Sequence, residues 1–258
     1  MIAEDVRAEI LRRISAAERE HGVRVILAVE SGSRAWGFES PNSDYDARFI
    51  YVHEPDWYLS IDPEARRDVV EYPIVDEIDL NGWDVRKALR LFARSNPTFV
   101  EWIQSPIVYI ERGGFAAAAR RLLPDVYSCA RGIHHYRSMA RTTFRNHLKA
   151  DPVSLKKYFY VLRPLLSVRW LERYSAPAPI EFRKLLPLID GEPALAADID
   201  RLLETKRAAS QAGLLRPVAS IHAFIERELE RLETIAPPVD ADGPMDRLNE
   251  VFRAAIRE

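Results

Sequence analysis

Between Ala28 and Val52 the chain reads AVESGSRAWGFESPNSDYDARFIYV, and few folds accommodate that order of residues. Val23 to Val29 is dense in β-branched side chains, which suits a buried strand. Gly32 follows and permits a tight turn, a short helical turn fits after it, and Pro41-Asn42-Ser43 make a second turn. A new strand then opens on Asp44-Tyr45-Asp46. Alternation sets Asp44, Asp46 and Arg48 on one face, with Tyr45, Ala47, Phe49 and Tyr51 on the other. Two carboxylates sharing a face repel each other unless positive charge lies between them. A pair of Mg²⁺ ions would supply that charge and clamp a phosphoryl-transfer site. A solvated strand end beside an ordinary turn is the plainer reading of the same fragment.

The remainder of the chain predicts a small α/β region followed by helices. A helical period marks Val6, Ile10, Ile14 and Ala17, with Gly22 as its stop. Residues 53 to 68 read as a loop with a short helix, and Val69 to Leu80 as a strand or a pair of strands interrupted near Pro73. Asn81-Gly82 is expected to end that strand, and Trp83 to Ala93 to form a helix. Thr98 to Gln104 reads as a short helix and Ile107 to Ile110 as an edge strand. Gly113-Gly114 is the expected domain boundary, which gives residues 1–112 and 113–258. The later helices are expected at about 115–123, 125–149, 152–174, 194–211, 217–235 and 245–257, punctuated by Pro124, Pro152, Pro217 and Pro237-Pro238.

A two-metal site needs one more acid, from a neighbouring strand. In Ile74-Val-Asp-Glu-Ile-Asp-Leu80 the strand period places Val75, Glu77 and Asp79 together. Asp79 lies between Ile78 and Leu80, so in a central strand its charge requires a partner. Asp79 is the first choice for the third ligand and Glu77 the second.

With these residues in place, the chain resembles the polymerase β-like nucleotidyltransferase superfamily. The resemblance is carried by Gly32-Ser33-Arg34-Ala35-Trp36-Gly37, by Ser43-Asp44-Tyr45-Asp46-Ala47-Arg48-Phe49-Ile50-Tyr51, and by Asp79-Leu80-Asn81-Gly82-Trp83-Asp84. Lys156-Lys157-Tyr158-Phe159-Tyr160-Val161-Leu162-Arg163-Pro164-Leu165 extends it. Together they look like the bacterial nucleotidyltransferases of the YcgL type, an RNA-repair-pathway branch of the polymerase β group. The likeness spans most of residues 20 to 190 and weakens in the last fifty. It implies an α+β fold: a small mixed sheet with flanking helices, then an all-helical C-terminal domain. It also implies transfer of a nucleoside monophosphate from an NTP, ATP among them, to an acceptor hydroxyl, with release of pyrophosphate. By position, Gly32 and Ser33 would hold the triphosphate, and Asp44 and Asp46 both metals. Asp79 would hold the metal that activates the acceptor. Mg²⁺ is the expected ion, with Mn²⁺ as a substitute.

Residues 131 to 169 are locally basic, with Arg131, Arg137, Arg141, Arg145, Lys149, Lys156, Lys157, Arg163 and Arg169 against Asp151 alone. Arg137, Arg141 and Arg145 recur every fourth residue and line one helix face. Such a stripe suits phosphates or is a solvated cationic face. In the superfamily a helical domain closes over base and triphosphate, and Lys156, Lys157 and Tyr158 resemble that nucleotide-binding element; Tyr158 and Tyr160 are expected either to stack on a base or simply to pack. Arg48 is expected either to pair with the neighbouring acids or to meet a phosphate. The formal net charge of the whole chain is −2, so no global pull toward nucleic acid or anionic membrane is expected. Cys129 is the single cysteine, which suits a reducing compartment. No leader pattern and no apolar run of spanning length is evident, so the expected address is the cytoplasm, with no membrane partner. An RNA end is the acceptor that the resemblance implies. A protein side chain or a small molecule as acceptor, and an inert nucleotide-binding module, are the competing readings. The oligomeric state is not encoded in any of these features.

Overall fold

The computed structural model describes residues 2–208, 213–236 and 243–258. Over these residues the chain runs α1 (Glu4–His21), β1 (Arg24–Glu30), α2 (Gly32–Trp36), β2 (Tyr45–Val52), α3 (Pro55–Tyr58), β3 (Val69–Glu71) and β4 (Ile78–Asp84). It continues through α4 (Val85–Ala93), α5 (Pro97–Gln104), β5 (Val108–Glu111), α6 (Phe115–Val126), α7 (Cys129–His147) and β6 (Val153–Ser154). Then follow α8 (Leu155–Tyr174), a 3₁₀ helix (Phe182–Ile189), α9 (Pro193–Ala208), β7 (Leu214–Leu215), α10 (Ala219–Glu233) and α11 (Met245–Ala255). The expected α+β class is met. No helix among the described residues is long and apolar enough to cross a membrane.

Two compact units divide the chain. The first comprises Met1–Ala35, Asp44–Tyr127 and Asp242–Glu258, the second Trp36–Ser43 and Ser128–Ala241. In the first unit five strands form one sheet in the order β3-β4-β2-β1-β5. Only β2 and β4 run parallel; the other neighbours are antiparallel. β1 lies inside the sheet between β2 and β5 and is apolar from Val25 to Val29, which lets this near-continuous run be buried on both sides. Helix α1 covers one face, with Ile10, Ile14 and Ala17 packed among Val25, Ala28, Ala47, Phe49 and Leu80. It stops at Gly22, whose φ of 61° is the left-handed conformation glycine adopts without a Cβ penalty. Helices α4, α5, α6 and α11 cover the other face through Phe92, Phe99, Phe115, Leu122 and Val251, among others. Each such large side chain buried adds on the order of 2 kcal/mol of hydrophobic stabilisation, so an acid in place of Ile14 or Phe99 would break its layer.

Three sequence expectations change here. The boundary expected after residue 112 falls inside the first unit, and the units part between Tyr127 and Ser128. The reason is packing: α6 and α11 bury Ala116, Ala119, Leu123, Leu248 and Ala255 in the same core as the sheet. Gly114 still serves a purpose, since its N–H donates to the Glu258 carboxylate at 3.0 Å. The strand expected to end at Asn81-Gly82 instead runs through Gly82 to Asp84. Gly82 stands opposite Phe49 in β2, and a Cβ there would meet that ring at 2.2 Å, so the glycine makes room within the strand. Asp84 then caps α4, its carboxylate accepting from the Arg86 N–H at 2.8 Å. Pro124, read as a break, lies inside α6.

The second unit is built on α8, whose buried residues lie all round it and leave no polar stripe. Phe38, from the Trp36–Ser43 segment, stacks on Phe159 at 4.8 Å and meets Phe182 edge-on at 5.7 Å. The unit is not purely helical, since β6 and β7 pair over two residues each. Residues 209–211 of the helix expected at 194–211, and Pro237-Pro238, lie outside the described residues.

Candidate active site

Parallel pairing of β2 with β4 puts Asp46 directly opposite Asp79. Because side chains alternate along each strand, both carboxylates leave the sheet on the face away from α1, as does Arg48 two residues on. The Arg48 guanidinium lies between the two acids. One of its terminal nitrogens, Nη2, is 2.9 Å from Asp46 Oδ1 and 2.6 Å from Asp79 Oδ2. The other, Nη1, donates to the Asp79 carbonyl at 2.7 Å and to the Ala47 carbonyl at 3.2 Å. Asn81 Nδ2 donates to the remaining Asp79 oxygen, Oδ1, at 2.5 Å. The side chains of Arg48, Asp46 and Asp79 keep only 16, 24 and 19% of their exposure. Water therefore screens these pairs less than it screens a surface salt bridge.

The turn after β1 is fitted to Asp46. Gly32 has φ 59°, and a Cβ on it would lie 2.0 Å from Asp46 Oδ2. The carboxylate thus occupies the space a side chain would take, and only glycine meets both demands. The Ser31 N–H donates to the Asp46 carbonyl at 2.9 Å, and Ser33 is buried in α2. Arg34 holds the strand from outside, its Nε donating to the Asp44 carbonyl at 3.3 Å and its guanidinium lying 3.9 Å from the Tyr45 ring centre.

Glu30 is a part of this architecture that pattern reading missed. It is wholly buried at the end of β1, and its carboxylate accepts from the Asp46 N–H at 3.0 Å and from Tyr109 Oη at 2.5 Å. Burial pushes its carboxyl up to about 7, against the pull of the Tyr109 and Asp46 hydrogen bonds. An acid closing an otherwise apolar β-branched run was the available signal.

The structure brings Gly32, Asp46, Arg48 and Asp79 together. Asp44 immediately precedes β2, with its carbonyl held by Arg34. Among the described residues no three acidic, histidine or cysteine side chains are gathered closely enough to hold a metal ion. Asp46 and Asp79 nevertheless suit a cation, since they hold the guanidinium of Arg48, and carboxylate oxygens are the donors Mg²⁺ prefers. Glu77 has φ 62° in the turn between Val75 and Ile78, outside β4.

The remaining expected nucleotide-binding residues lie in the second unit. Lys156 is exposed and Lys157 half-buried, with their Nζ atoms 5.7 and 5.4 Å from the Tyr160 ring centre. Tyr158 is a correction: it is fully buried, its oxygen accepts from the Val218 N–H at 2.9 Å, and its ring meets His222. A side chain so enclosed packs the core and has no face for a base. Of the stripe Arg137, Arg141 and Arg145, the first is held by backbone, while Arg141 and Arg145 are exposed. Arg137 donates to the Leu232 carbonyl at 2.8 Å at the end of α10, and Arg141 pairs with Glu233 at 3.3 Å.

The Bacillus subtilis (strain 168) protein YcgL is 43% identical over 251 residues, covering 97% of this chain and 95% of that protein. A crystal structure of a nucleotidyltransferase-like protein from Exiguobacterium sibiricum 255-15 aligns over 96% of this chain and 77% of that one, at 14% identity and a TM-score of 0.32, too low to inform the fold. Residues 6–254 match the family described as the RNA repair pathway DNA polymerase beta family. The chain belongs to that family, and its enzyme class is nucleotidyltransferase.

Proposed function

We propose that this nucleotidyltransferase moves a nucleoside monophosphate from an NTP to a hydroxyl at an RNA end, using divalent metal held by Asp44, Asp46 and Asp79. The observation that carries the reading is the Asp46–Asp79 pair, in register on adjacent parallel strands and already holding a cation. Bound Mg²⁺, or Mn²⁺ in its place, would neutralise charge on the transferring phosphoryl group and lower the acceptor hydroxyl's pKa. In the transfer a bond forms between the acceptor oxygen and Pα, the Pα–O bond to the β-phosphate breaks, and pyrophosphate leaves. The acceptor proton passes to Asp79 or to water. Gly32 and Ser33 would offer small, close-packed backbone to the triphosphate. Lys156 and Lys157 belong to the second unit and would offer it two cationic side chains for phosphate.

The RNA acceptor is supported by the family's description. α-Labelled NTP and Mg²⁺ supplied with RNA fragments, proteins and small metabolites separates the acceptors. The expected result is label in RNA. Label confined to protein or metabolite would replace the acceptor and keep the chemistry.

A further inference from the structure

Arg48 lies between the carboxylates of Asp46 and Asp79, the two acids to which the proposed function assigns divalent metal. Asp46 Oδ2 fills the space beside Gly32, which leaves Oδ1 facing the opposite strand, and Oδ1 is the oxygen that Arg48 takes at 2.9 Å. Both Asp79 oxygens have donors, Oδ2 from Arg48 at 2.6 Å and Oδ1 from Asn81 at 2.5 Å. The guanidinium is also anchored on the Asp79 and Ala47 carbonyls. An arginine reaching outward for phosphate would not be tied to two backbone carbonyls at the floor of the pair. Nor can guanidinium neutralise itself by losing its proton, so it can leave only by moving as a cation.

We infer that Arg48 is a resident counter-cation of the acid pair, competing with divalent metal for Asp46 and Asp79, so that metal entry requires its guanidinium to leave. This rests on the metal site proposed above. Three consequences follow. The metal-free protein is held together at this point by Arg48, so losing it leaves two half-buried carboxylates facing each other. The competent form of the acid pair is only a fraction of the population, which weakens apparent metal affinity by that fraction. Removing the competitor should therefore tighten metal binding while destabilising the metal-free protein.

The test measures Mn²⁺ binding by electron paramagnetic resonance, together with melting temperatures with and without Mn²⁺. It compares the wild type with Arg48→Met, Arg48→Lys and Asp46→Asn. Arg48→Met is expected to bind Mn²⁺ about tenfold more tightly than wild type, the mark of a site freed from competition. Its metal-free melting temperature should fall, and Mn²⁺ should raise it by more than it raises the wild type's. Binding that appears only in Arg48→Met supports the inference equally. If wild type and Arg48→Met bind equally, and Asp46→Asn abolishes that binding, the inference is overturned and the metal site stands. If neither protein binds Mn²⁺, both fall. Should Arg48→Met not fold, Arg48→Lys decides: lysine keeps the charge but lacks the second terminal nitrogen that the Asp79 and Ala47 carbonyls hold, so a more weakly anchored competitor and tighter Mn²⁺ binding are expected, and unchanged affinity overturns the inference.

Discussion

A glycine determines how the candidate site is assembled. Gly32 satisfies a left-handed backbone and an absent side chain at the same position, because the Asp46 carboxylate fills the space of its Cβ. Gly32→Ala must strain φ and push Asp46 away from Arg48 and Asp79. The strain should cost on the order of 1–2 kcal/mol of stability. If Asp46 holds metal as proposed, displacing its carboxylate by about 1 Å should lower NTP turnover about 10²-fold. Denaturant melts and a pyrophosphate-release assay on the same preparation separate the two effects; undiminished turnover in Gly32→Ala would show that the turn does not set Asp46. The sequence named this glycine through its place between strand and Asp-x-Asp. It did not reveal Glu30 as the buried acceptor of the Asp46 N–H, because hydrophobic patterning registers an acid at a strand's end as solvent-facing.

Among elements, β4 and its junction with α4 show best how far patterning reaches. The period-2 reading set Asp79 on the face opposite Ile78 and Leu80, because alternation is a backbone property, but its place across from Asp46 comes from the parallel register of β2 and β4. The same reading ended the strand at Asn81-Gly82, since Gly is ordinarily a turn residue. Only the Phe49 ring across the strand pair explains why it is not one here. Asp84, which closes β4, is buried, takes the Tyr58 hydroxyl at 2.7 Å and caps α4 through Arg86 N–H. Asp84→Ala removes the cap and leaves the Tyr58 hydroxyl without its acceptor, a loss of about 2–3 kcal/mol. Urea unfolding checks it, and Asp84→Asn should recover part of the loss because its amide oxygen still accepts. A loss below half a kilocalorie would show that α4 does not depend on this cap. In the second unit the Lys156-Lys157-Tyr158 run was legible as basic and aromatic. Its sequence could not tell that Tyr158 faces the core while Tyr160 keeps a partly open ring, because α8 is buried all round from Val161 to Val168 and no single apolar stripe marks its inner face.

For the molecule as a whole, the class of fold was legible and the place where the chain divides was not. Glycine pairs suggest boundaries, yet α6 and α11 return to the sheet's core from either side of the helical segment, and only packing reveals that. Two buried groups of the first unit make its stability depend on pH: Glu30, whose carboxyl is pushed up to about 7, contributes less as pH rises toward that value, and His53 acts in the opposite sense. His53 stacks on Trp57 at 4.0 Å, and burial, with help from Arg66, pulls its pKa from 6.5 down to about 4. The unfolded chain then binds the proton more readily than the folded one. The contribution of His53 is fully present above pH 6.5 and is lost as pH falls through about 4. His53→Phe, which keeps the stacked ring, should flatten the fall of melting temperature between those two values; an unchanged slope would remove His53 from the account.

The central claim is that Asp46 and Asp79 form the metal-holding pair of a nucleotidyltransferase. It is tested most directly by Mg²⁺-dependent pyrophosphate release from NTP in the wild type and in Asp46→Asn, with circular dichroism confirming that the variant is folded. The account predicts release in the wild type, its disappearance with chelator, and a loss in Asp46→Asn of about 10³-fold or more. A folded Asp46→Asn that releases pyrophosphate at the wild-type rate would contradict it.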